Sequence, residues 1–353
     1  MKLLPRFFAL ILVVASAIVM FACAQQPHLP SQKPDTPFDP EHPHLLLATD
    51  IQNGCIAVIN LDAEDPMDPE NYYWYWCADP SLGWNYSSKL IKNLSDARLR
   101  WSELHQSYVV LMTAANGWIG IAEYPSGKCI WETIYTGTSP HAIEMLPNGD
   151  LVVANSGGVN WETEGTLKYY HTTNGKRWTV TDTVELPSAH GVLWDPEYQV
   201  LWADGYSELL AFEIVTNDKG KQTLSQRTDG LGGLLLSGNG HDLMPDYSDP
   251  NLLWVTCDKA IYMYDKAADK VLSSYTYSDM LFGQYRVKGI TTLADGIVAY
   301  AKCGASSSSS DWLNTIYVLL PQDTEGKEAT MVVYTAQDGA YWNKVRNFDP
   351  DYQ

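Results

Sequence analysis

The sequence predicts an all-β fold, a six-bladed β-propeller closed by pairing N-terminal strands with the C-terminal strand. Three observations carry that expectation. A segment pattern recurs at steps of about fifty residues. The composition favours short strands and turns. Three apolar strands near the N-terminus belong to no repeat of their own. The 353 residues include 13 Trp and 22 Tyr against 7 Phe, with 25 Gly and 19 Pro, a mixture suited to pleated, half-buried strands joined by tight turns. Hydrophobic residues make up 45%, which supports a sizeable core and excludes a disordered chain. Lys and Arg total 23 against 42 Asp and Glu, a formal net charge of −19, so no non-specific grip on nucleic-acid phosphates is expected.

Taken in order, residues 1–22 read as a signal peptide: Lys2 and Arg6 precede an apolar run from Phe7 to Ala22. Met20-Phe21-Ala22-Cys23 resembles a lipobox, which makes Cys23 the expected lipidation site. The chain is then expected at the cell envelope, touching the membrane only through its lipid anchor, or secreted if Cys23 is not acylated. Residues 23–43 are Pro-rich and form an extended tether. Residues 44–353 are a single propeller domain, expected to be a monomer.

Within that domain, His44 to Thr49, Cys55 to Asn60 and Tyr72 to Cys77 are the three unassigned strands. The repeat itself aligns Pro140-His141-Ala142-Ile143, Ala189-His190-Gly191-Val192, Gly240-His241-Asp242-Leu243 and Val287-Lys288-Gly289-Ile290. Each is followed, after a turn, by a tight apolar strand such as Leu151-Val152-Val153 or Leu252-Leu253-Trp254. Ala97-Arg98-Leu99 extends the pattern upstream, and Val345-Arg346-Asn347-Phe348 ends it. Positions 98, 141, 190, 241, 288 and 346 lie 43, 49, 51, 47 and 58 residues apart. The final unit has only a first strand, so a ring closes if the three N-terminal strands complete it.

In a propeller the first strand of each unit lines the central channel. Arg98, His141, His190, His241, Lys288 and Arg346 therefore form an expected ring of basic or imidazole side chains at one channel mouth. Like charges repel in a confined apolar setting unless an anion binds. Arginines grip carboxylates, and imidazoles exchange protons or ligate a metal. This assigns ligand binding to Arg98, His141, Lys288 and Arg346, with Asn155 and Asp204 behind them. It offers His190 and His241 as catalytic bases. A divalent metal at His141, His190 and His241 is the alternative role. Asn155, Asp204 and Lys302 each stand fourteen residues after their ring residue; Asn116, Thr256 and Asp258 lie close to the equivalent place. For any one ring residue the plain alternative is a hydrogen-bonding pin between blades; for these residues behind it, the alternative is an exposed loop polar.

After Cys23, five cysteines remain, an odd number that excludes a fully paired scaffold. Cys55 with Cys77, and Cys257 with Cys303, fall on positions where either pair could bridge; small buried hydrophobes are the other reading. No Cys-x-x-Cys, Walker, Rossmann or Gly-x-Ser-x-Gly pattern occurs.

These repeats resemble extracytoplasmic propellers of the NHL and quinoprotein-like type. The lipobox-like start and Trp/Tyr-rich blades resemble Bacteroidetes surface lipoproteins. His141, His190 and His241 are similar in kind to the histidine cluster of oligogalacturonate-lyase-type propellers, which implies a metal beside a uronate. The expected partner is an anionic carbohydrate, uronate or sulfated. The expected function is a polysaccharide lyase or glycosidase acting on acidic sugars, or a non-catalytic propeller that binds a glycan or protein through the same mouth.

Overall fold

The computed structural model describes residues 41–351, except 87–90, 137, 159, 161, 305–311 and 323–327. The expected signal peptide, Cys23 and most of the expected tether lie outside the described residues.

The described chain is a ring of six antiparallel sheets, the expected six-bladed propeller. Blade 1 joins the chain ends. Its inner strand is Trp342–Asn347, followed outward by Leu45–Asp50, Cys55–Asn60 and Trp74–Cys77. Leu47 pairs with Arg346 and Asp50 with Trp342, so the closure predicted from the spare strands is present. The other inner strands are Leu94–Ser102, Pro140–Met145, Gly191–Asp195, Gly240–Pro245 and Val287–Thr292, in blades 2 to 6. The outermost strand of blade 5 is only Lys270–Val271.

The core lies between blades rather than within one central body. Six buried apolar clusters each join two neighbouring sheets. Trp342 and Val345, for example, pack with Ala299 and Ile316 across the seam between blades 1 and 6. Because both faces of a sheet meet a neighbour, second strands such as Val200–Asp204 are buried at every residue. This explains why they read as short continuous apolar runs rather than as alternating ones.

Cys55 and Cys77 lie opposite each other in register and form a disulfide across 22 residues. Cys257 and Cys303 do not bridge; both are buried thiols, as the small-hydrophobe reading allows, and Cys129 is not in a disulfide either. A loop of this length makes the bridge worth about 2–4 kcal/mol. Cys55→Ser is expected to lower the denaturant midpoint accordingly, with the wild type matching it under reductant.

Candidate functional site at one mouth of the channel

A local irregularity aims the site. In the inner strands of blades 3, 5 and 6 the register skips one residue: His141, His241 and Lys288. Such a bulge leaves one residue unpaired and turns its side chain away from the ladder, here toward the channel mouth. His190 occupies the same level in blade 4, its N–H donating to the Asp204 carbonyl at 3.1 Å. The rings of His141 and His190 are 4.2 Å apart between centroids, and those of His190 and His241 5.5 Å. Lys288 Nζ lies 3.0 Å from Nδ1 and 2.9 Å from Nε2 of His241. Four of the six expected ring residues are thus brought together.

Arg98 and Arg346 are not among them. The bulge positions of blades 2 and 1 are Ser95 and Asn343; the two arginines sit three residues further along, level with Glu144. The repeat spacing in the sequence overshoots the bulges of these two blades by three residues. Ser95 Oγ donates to the Pro140 carbonyl at 2.6 Å, and Asn343 Nδ2 to the Leu94 carbonyl at 3.0 Å. Both therefore serve as pins between blades.

The arginines plug the channel below the mouth. Arg346, 1% exposed, donates to Asp242 at 2.6 and 2.7 Å and to Asp96 at 2.8 Å. Arg98 bonds Asp96 at 3.1 Å and Glu144 at 3.0 Å. Arg100 takes Glu144 through two nitrogens, at 2.8 and 2.9 Å. Lys344 Nζ is 3.2 Å from Asp242. Despite burial, the charges of Arg346 and Arg98 hold the Asp96 carboxyl far below its usual range, and those of Arg346 and Lys344 lower Asp242.

Asp204 stands between this plug and the histidines, fully buried. Its Oδ1 accepts from the Gly191 N–H, while Oδ2 has no protein partner. Burial, with the nearby Asp242 charge, pushes its carboxyl up to about 7, against the opposing charge of Lys344. The Gly191 and Gly240 backbones pass so close that a Cβ at either would lie 2.6 or 2.5 Å from an Asp204 oxygen. Asn155 is also buried, with its amide donating to the Val153 carbonyl at 3.2 Å. Lys302 bonds Gln284 at 2.8 Å. None of these three lines the mouth.

What does line it is a cavity of about 310 Å³, walled by His190, His241, Lys288, Asp258, Arg286 and Asn239, with Ser139, Ser156, Ser188 and the Gly157–Gly158 turn. Burial drives the imidazoles neutral. His141 falls to about 3 and His241 to about 4, each also beside the Lys288 and Lys344 charges, and His190 falls well below its ordinary value. The ring nitrogens are assigned by their partners. Nδ1 of His141 meets the Ser139 carbonyl at 2.8 Å, and Nδ1 of His190 meets that of Ser188 at 2.7 Å. A carbonyl only accepts, so both Nδ1 atoms carry the proton and both Nε2 atoms are acceptors. His241 Nε2 is 2.8 Å from Asp258 Oδ1 and donates to it.

The chain matches a family model described as "Family of unknown function (DUF6528)" over residues 6–299. It belongs to that family. No curated protein matches it. Among solved structures this DUF6528 chain is similar to a protein of unknown function from Bacteroides caccae, at 12% identity and TM-score 0.45, covering 86% of this chain and 98% of that one. It is also similar to a protein from Lactobacillus plantarum, at 11% identity and TM-score 0.49, with 85% and 86% covered. A chain of the nidogen/laminin complex matches at 16% identity and TM-score 0.48, with 86% and 97% covered.

The three-histidine metal role does not fit this DUF6528 chain's donors. His241 spends Nε2 on Asp258 and faces Lys288 with the rest of its ring. Among the described residues no group of three or more His, Cys, Asp or Glu side chains is placed to hold a metal ion. What remains is two imidazole acceptors, hydroxyls and an ammonium. The serine carbonyls that orient the imidazoles were not singled out from sequence, although Ser139-Pro140-His141 and Ser188-Ala189-His190 repeat one Ser-x-His spacing. Asp258 was noted only as a neighbouring polar residue.

Proposed function

We propose that the channel-mouth cavity binds an acidic, hydroxyl-rich ligand, a uronate or sulfated carbohydrate, and that it does so as a non-catalytic receptor at the cell envelope. One observation carries the reading. The fully buried cations Arg98, Arg100, Lys266, Lys344 and Arg346 all have carboxylate partners. Among the described residues Lys288, on the cavity wall, lies within ion-pair distance of none. An ammonium half-withdrawn from water and facing a cavity is a site for an anionic oxygen. The Nε2 acceptor of His190 suits a hydroxyl donor of a sugar, and the serine hydroxyls on the wall can serve either role. At about 310 Å³ the space is at the small end for ligand pockets, which fits the terminal unit of a chain.

The same electrostatics favour binding over turnover at His190 and His241. A general base works best with a pKa near the operating pH, whereas burial holds His241 at about 4 and His190 well below its ordinary value. In this reading the ligand is held and not cleaved. Lipid anchoring through Cys23 would place such a receptor where glycans are met, and the Cys55–Cys77 bridge suits an oxidising compartment.

The test is calorimetric titration of the purified chain with uronate and sulfated oligosaccharides, with absorbance of unsaturated products read in parallel. Binding is expected to weaken as salt rises. Lys288→Met is expected to weaken it at least about tenfold, the cost of one charge-assisted contact. Neutral oligosaccharides binding as well as acidic ones would overturn the reading. Accumulation of unsaturated products would replace it with the lyase alternative.

A further inference from the structure

Lys288 is set up in a way that simple charge recognition does not require. It stands at the end of a three-residue line, Asp258–His241–Lys288, that runs from a partly exposed carboxylate into the cavity. Asp258 Oδ1 accepts from His241 Nε2 at 2.8 Å, which fixes the tautomer with Nδ1 as the acceptor, and Lys288 Nζ lies against the ring, 3.0 Å from Nδ1 and 2.9 Å from Nε2. His241 is 4% exposed and cannot swing to another partner without breaking that bond. An amine backed by an oriented imidazole acceptor is the arrangement that activates a nucleophile.

From this geometry we infer that Lys288 is a reactive amine that captures the carbonyl group of an acidic ligand, such as an oxo acid or the open-chain aldehyde of a sugar acid, as a reversible imine. The step balances without any further reagent. Nζ, in its neutral form, attacks the carbonyl carbon. The two amine protons pass to the carbonyl oxygen, one by way of His241 Nδ1, and that oxygen leaves as water. A C=N bond to Lys288 remains, and hydrolysis reverses it.

The groups around Lys288 support a usable neutral fraction. Burial, with Arg286 and Lys344, pulls its ammonium down to about 8, against the opposing influence of Cys303 and Asp258. His190 and His141 on the neighbouring strands are neutral and do not hold the proton in place. At pH 7 roughly a tenth of the side chain is then unprotonated, against well under a thousandth for an ordinary lysine. The majority ammonium form still recognises an anion. The inference therefore rests on the same cavity as the receptor reading but not on the ligand being a carbohydrate.

The probe is glyoxylate, a small aldehyde that carries a carboxylate, added to the folded chain with cyanoborohydride to reduce any imine to a stable carboxymethyl-lysine. Peptide mass spectrometry then measures labelling at every lysine between pH 6 and 10. Lys288 is expected to label at least about tenfold faster than any other lysine at pH 7, with a labelling midpoint near pH 8. An acidic oligosaccharide present in excess should protect it. Lys288→Arg should abolish the fast adduct. Labelling spread evenly over surface lysines, or a Lys288 midpoint above pH 10, overturns the inference. If oligosaccharide binding persists in that case, the receptor reading stands without it. Fast Lys288 labelling with no oligosaccharide binding would leave the amine assignment intact and remove the carbohydrate.

Discussion

Replacing Arg346 by Ala is expected to destabilise the folded chain by about 3–5 kcal/mol, the cost of stripping a buried charge network of its hub. Arg346 satisfies Asp242 with two nitrogens and Asp96 with one, and both carboxylates are fully buried. Without the guanidinium they keep only Lys344 and Arg98 as nearby cations. The cost has a second part, since Asp96 and Asp242 also anchor the next blades: Asp96 accepts from the Ile143 N–H at 3.3 Å and Asp242 from that of Ile290 at 3.2 Å. Urea denaturation of Arg346→Ala should show the lower midpoint. A double replacement, Arg346→Met with Asp242→Leu, should recover part of the loss, because an apolar pair leaves fewer unpaired charges. The sequence alone suggests the opposite outcome, lost ligand affinity with an intact fold.

Stability is expected to fall steeply as pH drops from about 6.5 toward 4. The three mouth histidines fold in their neutral forms, with His141 at about 3, His241 at about 4 and His190 well below its ordinary value. In the unfolded chain they bind protons near pH 6.5. Their contribution is therefore complete above pH 6.5 and is lost as acid approaches the folded values. Each unit of depression is worth about 1.4 kcal/mol, so the three coupled groups together set a loss of several kcal/mol. Asp204 works with the opposite sign. Its carboxyl, raised to about 7, makes the fold relatively more stable below its unfolded pKa and costs stability as pH rises through 7. The two trends place the optimum near neutrality. Chemical denaturation at pH 7, 5.5 and 4.5 checks the acid limb, and His190→Gln should make it shallower. Asp204→Asn should be stabilising at pH 8 relative to its effect at pH 5.

The propeller was legible in the sequence because its determinants are local and periodic. Leu151-Val152-Val153 and Leu252-Leu253-Trp254 are buried between neighbouring blades, so their apolar runs mark each unit plainly. The closing blade was legible because His44 to Thr49 had no other partner. The three histidines and Lys288 were found together because each follows a turn-rich stretch and precedes a tight apolar strand. Arg98 and Arg346 were misplaced for a definite physical reason. A bulge inserts one unpaired residue into the inner strand, and its position shows only in the ladder, where Leu94 faces Ala114 but Asp96 faces Thr113. Ser95, the true counterpart of His141, has no chemistry that advertises a channel position. The pairing of Arg346 with Asp96, 250 residues away in the chain, depends on ring closure, and no sequence spacing encodes it. Asp258 becomes meaningful only once His241 is seen to turn its Nε2 toward it.

The most direct measurement is a crystal structure of the chain soaked with an acidic oligosaccharide. The account predicts an anionic group within hydrogen-bond reach of Lys288 Nζ, with a ligand hydroxyl donating to His190 Nε2, and with Arg98 and Arg346 still bonded to Asp96, Glu144 and Asp242. A ligand bound at the opposite face of the ring, or one that reaches Arg346 by displacing Asp242 while Lys288 stays empty, would contradict it.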